Sequence, residues 1–417
     1  MRNQAQLKLI GPFEQLLTMN NLPLKGAISD ESLEVIPAAG LLVENGIVKA
    51  VSTFSKLQDT VSLEAVEVEK LDEPMVCLPG FIDAHTHICY AGSRARDYAM
   101  RVAGMPYLEI AKAGGGILES VTKTRQATQQ QLESTLSDRC DRHFSEGVTT
   151  CEVKSGYALN IDDELKMLRA INALDKSHAL DLIPTCLAAH MPPKDFQGTS
   201  IEYLDHIAAH LLPKVSEEML SKRVDIFIED SAFTIDEAGT YLAKARQMGF
   251  SLTMHVDQFT PGSSLLACKL KAVSADHLEA STETEIIAIA DSDVVAVVLP
   301  GASLGLGYAF APVRKLLDAG ACVAISTDWN PGSAPMGDLL LQAAILGAAE
   351  KLTEAETFAG ITFRAARALE LHDRGVLAET KVADFVAFRC DDHREILYQQ
   401  GKLKPNMVWK KGNKVSY

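Results

Sequence analysis

A chain of 417 residues carries 55 Asp and Glu against 40 Lys and Arg, a formal charge of −15, with 47% hydrophobic and 23% charged residues. Such a composition buries a large interior and excludes disorder, while the negative surplus disfavours sequence-blind binding to nucleic acid or an anionic membrane, which needs clustered cations. The expected partner is a small molecule; an anionic substrate would need a local positive group to overcome the global field.

Met1-Arg-Asn-Gln-Ala-Gln6 lacks the apolar segment of a signal peptide, and no window approaches the ~18 apolar residues of a membrane span. Cys77, Cys89, Cys140, Cys151, Cys186, Cys268, Cys322 and Cys390 are scattered without a Cys-x-x-Cys and read as reduced thiols, so a cytoplasmic protein is expected. Residues 1–77 hold short alternating patches, among them Gly40–Val51 with an Asn45-Gly46 hairpin signal. From there strand-length apolar runs alternate with helix-period segments. The expected strands are Val76–Asp83, Val148–Val153, Asp181–Leu187, Val224–Glu229, Phe250–His255, Ala272–Asp276, Val294–Leu299 and Ala321–Thr327. Helical patterns include Gln131–Glu146, Ile161–Ala173, Ile235–Met248, Thr282–Ala290 and Pro312–Ala319. Strand patterns return at the end, in Ala383–Phe388 and in Met407–Tyr417 around a Gly412-Asn413 turn.

Neither β-rich end makes a core alone. The expected fold is therefore α/β: a (β/α)8 TIM-like barrel over residues 78–374, with a small β-sandwich domain assembled from 1–77 and 375–417. An open doubly wound sheet is compatible with the same alternation, because strand count does not prove closure.

In a barrel, residues at the carboxyl ends of the strands converge on one mouth. Those positions carry His85 and His87 after the first strand, then Glu152 and Lys154, His190, His255, His277 and Asp328. In Pro79-Gly-Phe-Ile-Asp-Ala-His-Thr-His87 the two histidines stand two residues apart, a spacing that puts both imidazoles on one face of a strand. Taken alone, His277 or Asp328 reads as an ordinary satisfied polar group or helix cap. Five of eleven histidines at strand ends point instead to a shared ion. Three neutral imidazoles and a carboxylate suit one Zn2+ or Fe2+ ion, which lowers the pKa of a bound water toward neutrality. The fourth strand ends in Glu229-Asp230, without a lysine that carbamylation could turn into a bridge between two ions.

This collection resembles the amidohydrolase superfamily and, within it, the ring-opening enzymes of histidine degradation. The resemblance covers roughly residues 75–375 and rests on Pro79–His87 with Ala91-Gly-Ser-Arg94, Ala113-Gly-Gly-Gly-Ile117, Glu152-Val-Lys-Ser-Gly-Tyr157, Ser274-Ala-Asp-His-Leu278 and Ser326-Thr-Asp-Trp-Asn-Pro-Gly-Ser333. It implies His85, His87, His255 and Asp328 as metal ligands, and His277 and Asp328 as the groups that handle protons. It further implies Arg94, Tyr107, Tyr157, His190, Asn330, Gly332 and Ser333 as substrate contacts. Gln258 stands where some members carry a glutamate, and a glutamine hydrogen-bonds but cannot act as a base. The implied substrate is an imidazolone ring with a carboxylate tail, a group that the Arg94 guanidinium is shaped to grip. On Arg94 alone a surface salt bridge is the plainer reading, and Tyr107 and Tyr157 alone read equally as core aromatics. The Asn330–Ser333 turn, set after Asp328, can aim amide groups at substrate. A related aminohydrolase acting on another cyclic amidine or guanine-like ring would use the same metal set, and a non-catalytic assembly subunit would have lost it. A homodimer is the default assembly.

Overall fold

The structure, a computed structural model, describes residues 7–61, 66–105, 109 and 113–415. Strands β1 (Leu7–Leu17), β2 (Val35–Glu44), β3 (Ile47–Thr53), β4 (Glu67–Lys70) and β5 (Val76–Pro79) come first. The barrel strands follow: β6 (Phe81–Asp83), β7 (Val148–Lys154), β8 (Asp181–Ala189), β9 (Arg223–Ile226), β10 (Ser251–Val256), β11 (Ser274–His277), β12 (Val295–Val298) and β13 (Cys322–Ile325). The chain closes with β14 (Phe385–Phe388), β15 (Met407–Lys410) and β16 (Asn413–Val415).

Both ends of the chain build one sheet, in the order β16-β15-β14-β5-β1-β2-β3 with β4 beside β1. Its inner face buries Phe13, Phe385 and Trp409, the last two stacked at 4.7 Å between ring centroids. The β2–β3 turn is Asn45-Gly46, at φ 52° and 83°, the left-handed pair that a two-residue hairpin demands and that Asn-Gly supplies cheaply. The last hairpin turns on Lys411-Gly412, with Lys410 paired to Asn413. That is one residue earlier than the expected Gly412-Asn413, because Asn413 is already a ladder residue of β16.

The expected single strand Val76–Asp83 is two strands in different sheets. β5 pairs with β1 and β14, whereas β6 pairs with β7. The chain crosses between sheets at Pro79-Gly80, where a Cβ on residue 80 would stand 2.3 Å from Thr149 Oγ1. Only glycine allows the two sheets to approach this closely.

From β6 to β13 every neighbouring pair is parallel. A parallel bridge between Thr86 and Trp329 joins the first strand's end to the last. The sheet therefore curls into a nearly closed barrel rather than lying open. The five helices read from periodicity occur at Gln129–Ser145, Ile161–Asp175, Ile235–Gln247, Glu283–Ala290 and Val313–Ala319. Thr128 with Gln131 and Thr234 with Glu237 form reciprocal capping boxes, each satisfying two N–H groups that the first turn cannot. The eight cysteines are unbonded, and among the described residues no helix is long and apolar enough to cross a membrane.

Candidate active site

The carboxyl ends of the barrel strands open onto a cavity of about 760 Å3 lined by His87, Arg94, Tyr157, His190, His255, Gln258, His277, Asp328, Asn330, Gly332 and Ser333. A void of this size suits a small ligand. His85 lies beneath it, fully buried. Tyr107 falls outside the described residues.

Asp83 aligns the first and last strands. Its Oδ1 accepts Thr327 N–H at 3.1 Å, and its Oδ2 accepts Thr327 Oγ1 at 2.5 Å and His143 Nε2 at 2.9 Å. Just beyond, Asp328 N–H donates to His85 O and His87 N–H to Trp329 O. This short ladder carries His85 and Asp328 to the same depth in the barrel. Asp328 sits at φ 51°, and His277 and Leu278 at 90° and 73°. Such conformations cost side-chain-bearing residues about 1–3 kcal/mol each, and they turn both functional side chains off the strand axis into the mouth.

Four donor atoms meet there. His87 Nε2 is 3.2 Å from both His85 Nε2 and His255 Nε2, and Asp328 Oδ1 is 3.6 Å from His85 Nε2 and 3.3 Å from His87 Nε2. A tetrahedral ion with bonds of about 2.0–2.2 Å needs donors roughly 3.3–3.6 Å apart, a spacing that His85, His87 and Asp328 meet as one close group, with His255 joined to it through His87. Burial pushes the pKa values of His85 and His87 well down, and that of His255 to about 3, leaving neutral rings with lone pairs to give. The residue behind His85 settles which of its nitrogens is free. His85 Nδ1 meets Asp276 Oδ2 at 2.6 Å, a bond that holds the ring proton on Nδ1 and leaves Nε2 to face the other donors, while His255 Nδ1 lies 3.0 Å from Asp225 Oδ2.

Under those carboxylates lies Lys154, fully buried, with Nζ 2.7 Å from Glu152 Oε2, 2.8 Å from Asp225 Oδ2 and 3.7 Å from Asp276 Oδ2. Burial works against charge on Asp225, yet His255 and Lys154 hold its carboxyl well below the usual range. Burial raises Asp276, with Lys154 opposing. Burial also opposes charge on Lys154, but its carboxylate partners outweigh that and raise its pKa. The cluster is a buried ionic plate, one ammonium among three carboxylates, on which two of the imidazoles rest. Sequence reasoning noted Glu152 and Lys154 at a strand end but missed Asp225 and Asp276 as supports. Their signal was an aspartate in the middle of an apolar strand, Val224-Asp-Ile226 and Ala275-Asp-His277.

His277 completes a second close grouping with His85 and His255. Burial disfavours its protonation, but Glu279, 3.3 Å from Nδ1, outweighs this and raises its pKa. Glu279, which sequence reading passed over, is held by Ser303 Oγ at 3.2 Å. Burial raises the pKa of Asp328. His190 gives its Nδ1 to Gly156 O at 2.9 Å and stacks on His87 with ring centroids 5.4 Å apart, so its Nε2 is not committed to that bond. The Asn330–Ser333 turn is wound on its own first side chain. Asn330 Oδ1 accepts Gly332 N–H at 2.7 Å and Ser333 N–H at 2.8 Å, while Nδ2 donates to Asp328 O at 2.6 Å. The expected amide groups aimed at substrate are thus engaged within the turn. Gly332 matters by what it lacks: a Cβ there would stand 2.3 Å from Arg94 Nη1.

Residues 76–415 match the amidohydrolase family. The chain is similar to the imidazolonepropionase of Bacillus mycoides (strain KBAB4), 37% identical over 405 residues that cover 96% of this chain and 94% of that one. Among solved structures it is similar in fold to a zinc-bound adenosine deaminase from Xanthomonas campestris, with a TM-score of 0.70 at 18% identity, covering 98% of this chain and 92% of that one. The ochratoxinase of A. niger gives a TM-score of 0.68 at 15% identity, covering 99% and 96%. At these identities the two structures speak for the fold alone.

Proposed function

The chain belongs to the amidohydrolase family, and from that footing we infer that it is a metal-dependent hydrolase that opens the ring of 4-imidazolone-5-propanoate to N-formimidoyl-L-glutamate, a step of L-histidine degradation. The observation that carries this reading is the meeting of His85, His87 and Asp328, with His255 3.2 Å from His87, on the floor of a cavity whose wall holds Arg94.

We assign His85, His87, His255 and Asp328 to one ion, zinc or iron, since three nitrogens and a carboxylate without thiolate suit either. When bound, that ion supplies an acidified water and polarises the ring carbonyl. Asp328, its pKa raised by burial, takes a proton from the attacking water and hands it to the ring nitrogen as the carbonyl C–N bond breaks. His277, its pKa raised by Glu279, faces the negative charge that develops on the carbonyl oxygen. Arg94 grips the propanoate tail, and Tyr107, Tyr157 and the neutral His190 are read as holding the ring and its polar edges. Gln258 offers hydrogen bonds only, which leaves proton traffic to His277 and Asp328. Asn330, Gly332 and Ser333 act by shaping the wall around Arg94.

The same reading takes 78–374 as the catalytic unit and 1–77 with 375–417 as its β companion. It places the enzyme in the cytoplasm, on its unbonded cysteines, as a homodimer. Freshly generated imidazolonepropanoate mixed with the purified protein should lose its ultraviolet absorbance, and a chelator should stop the loss. Release of ammonia from a cyclic amidine, with no such loss, would identify a deaminase instead.

A further inference from the structure

Arg94 caps the helix Ala95–Val102, and Asp97 and Arg101 follow three and seven residues on, a spacing that aligns all three along one face. All three line the cavity, whereas Tyr98 and Val102, 48% and 69% exposed, take the solvent side. The two guanidinium groups are not equivalent. Arg94 gives Nε to Asp97 Oδ2 at 3.0 Å, an oxygen that also accepts Gly116 N–H at 2.7 Å. Its charge is therefore balanced within the protein. Arg101 Nη2 is shut off from solvent and has no hydrogen-bond partner among the described residues, and the second oxygen of Asp97, equally buried and unpaired, does not reach it. A cationic N–H group left dry and unpaired is costly. An acceptor on the ligand would remove that cost at the moment of binding.

We propose that Arg101 is a second substrate-binding residue, which takes the carboxylate tail together with Arg94 and sets the preference for an anionic over a neutral tail. The identity of the tail rests on the ring-opening function inferred above; the existence of an anion subsite does not. In a protein of net charge −15, a cation at the mouth with no ion-pair partner among the described residues is the group that makes an anion welcome there. Planar, bidentate donors from two directions would fix the tail's rotation as well as its charge.

The test uses two unreactive probes, imidazole-4-propanoate and its propanamide, titrated calorimetrically into the metal-loaded protein. Wild type should prefer the acid by at least about tenfold, the scale of one charge-assisted hydrogen bond. Arg101→Gln should reduce that preference to about threefold or less, mainly by weakening the acid, and Arg101→Lys should keep part of it. Unchanged metal content in both variants shows that the centre has survived. A wild-type preference retained in Arg101→Gln, or an equal loss for both probes, would overturn the proposal. If the acid is selected through Arg101 while wild type fails to open the imidazolone ring, the functional reading falls and the subsite stands.

Discussion

At the scale of single residues, the proposed roles divide the site into groups assigned to the ion and groups assigned to the substrate, and substitutions should separate them. His277→Asn keeps a hydrogen-bonding side chain but removes the imidazole proposed to face the developing oxyanion. Metal content should be normal and kcat should fall by about 10²–10⁴-fold; near-normal turnover would refute the role given to His277. Arg94→Met removes the proposed tail contact, one made equally in ground and transition states, so KM for the propanoate substrate should rise about tenfold or more with a smaller change in kcat. An unchanged KM would mean that the tail lies elsewhere. Both residues were legible in the sequence, His277 by its place at a strand end and Arg94 by its motif. Glu279, which raises the pKa of His277, was not. It follows a residue at positive φ, and a local turn of that kind leaves no periodicity to read.

At the scale of elements, the catalytic geometry depends on strand ends being held in register by buried charge. Lys154 lies at the end of β7 and forms ion pairs with carboxylates on β7 and β9, with a third on β11 at 3.7 Å, so it couples three strands directly beneath two of the imidazoles assigned to the metal. Lys154→Met would leave Asp225 and Asp276 facing each other without a counter-charge. The expected result is a loss of about 10–100-fold in metal affinity, read by competition with a chromogenic chelator, together with a lowered melting temperature. Full metal affinity in a folded variant would exclude the supporting role. The split of Val76–Asp83 into β5 and β6 belongs to the same scale. An apolar run shows that a strand exists, but which sheet takes each half is set by hydrogen-bonding partners on β1, β14 and β7.

At the scale of the whole molecule, the terminal sheet is bolted to the barrel by Asp181. This residue begins β8 and binds Arg374 Nη1 at 2.5 Å and Lys410 Nζ at 2.8 Å, and Lys410 also reaches Asp384. Burial would raise the Asp181 pKa, but Lys410 and Arg374 outweigh it and hold the carboxyl below its usual value. A depressed carboxylate contributes its stability fully above its unfolded pKa of about 3.9 and loses it as pH falls through the lower folded value. Asp181→Asn should therefore lower the melting temperature near pH 7 and leave it closer to wild type in strong acid. An equal deficit at both pH values would show that the loss is steric rather than electrostatic.

The sequence by itself determined the alternation of strand and helix, the β character of both ends and the positions of the chemistry-bearing side chains. These follow from short-range physics: apolar periodicity and the turn preferences of Asn-Gly and Gly. Only the tertiary structure decided that the sheet curls round to its first strand, through Thr86 and Trp329, rather than lying open. It alone revealed that Asp225, Asp276 and Lys154 lie behind the imidazoles, and that Arg94 is paired with Asp97 while Arg101 Nη2 has no partner among the described residues. The physical reason is that closure, ion pairing and desolvation depend on groups that are distant along the chain. Their partners exist only once the strands have been brought side by side.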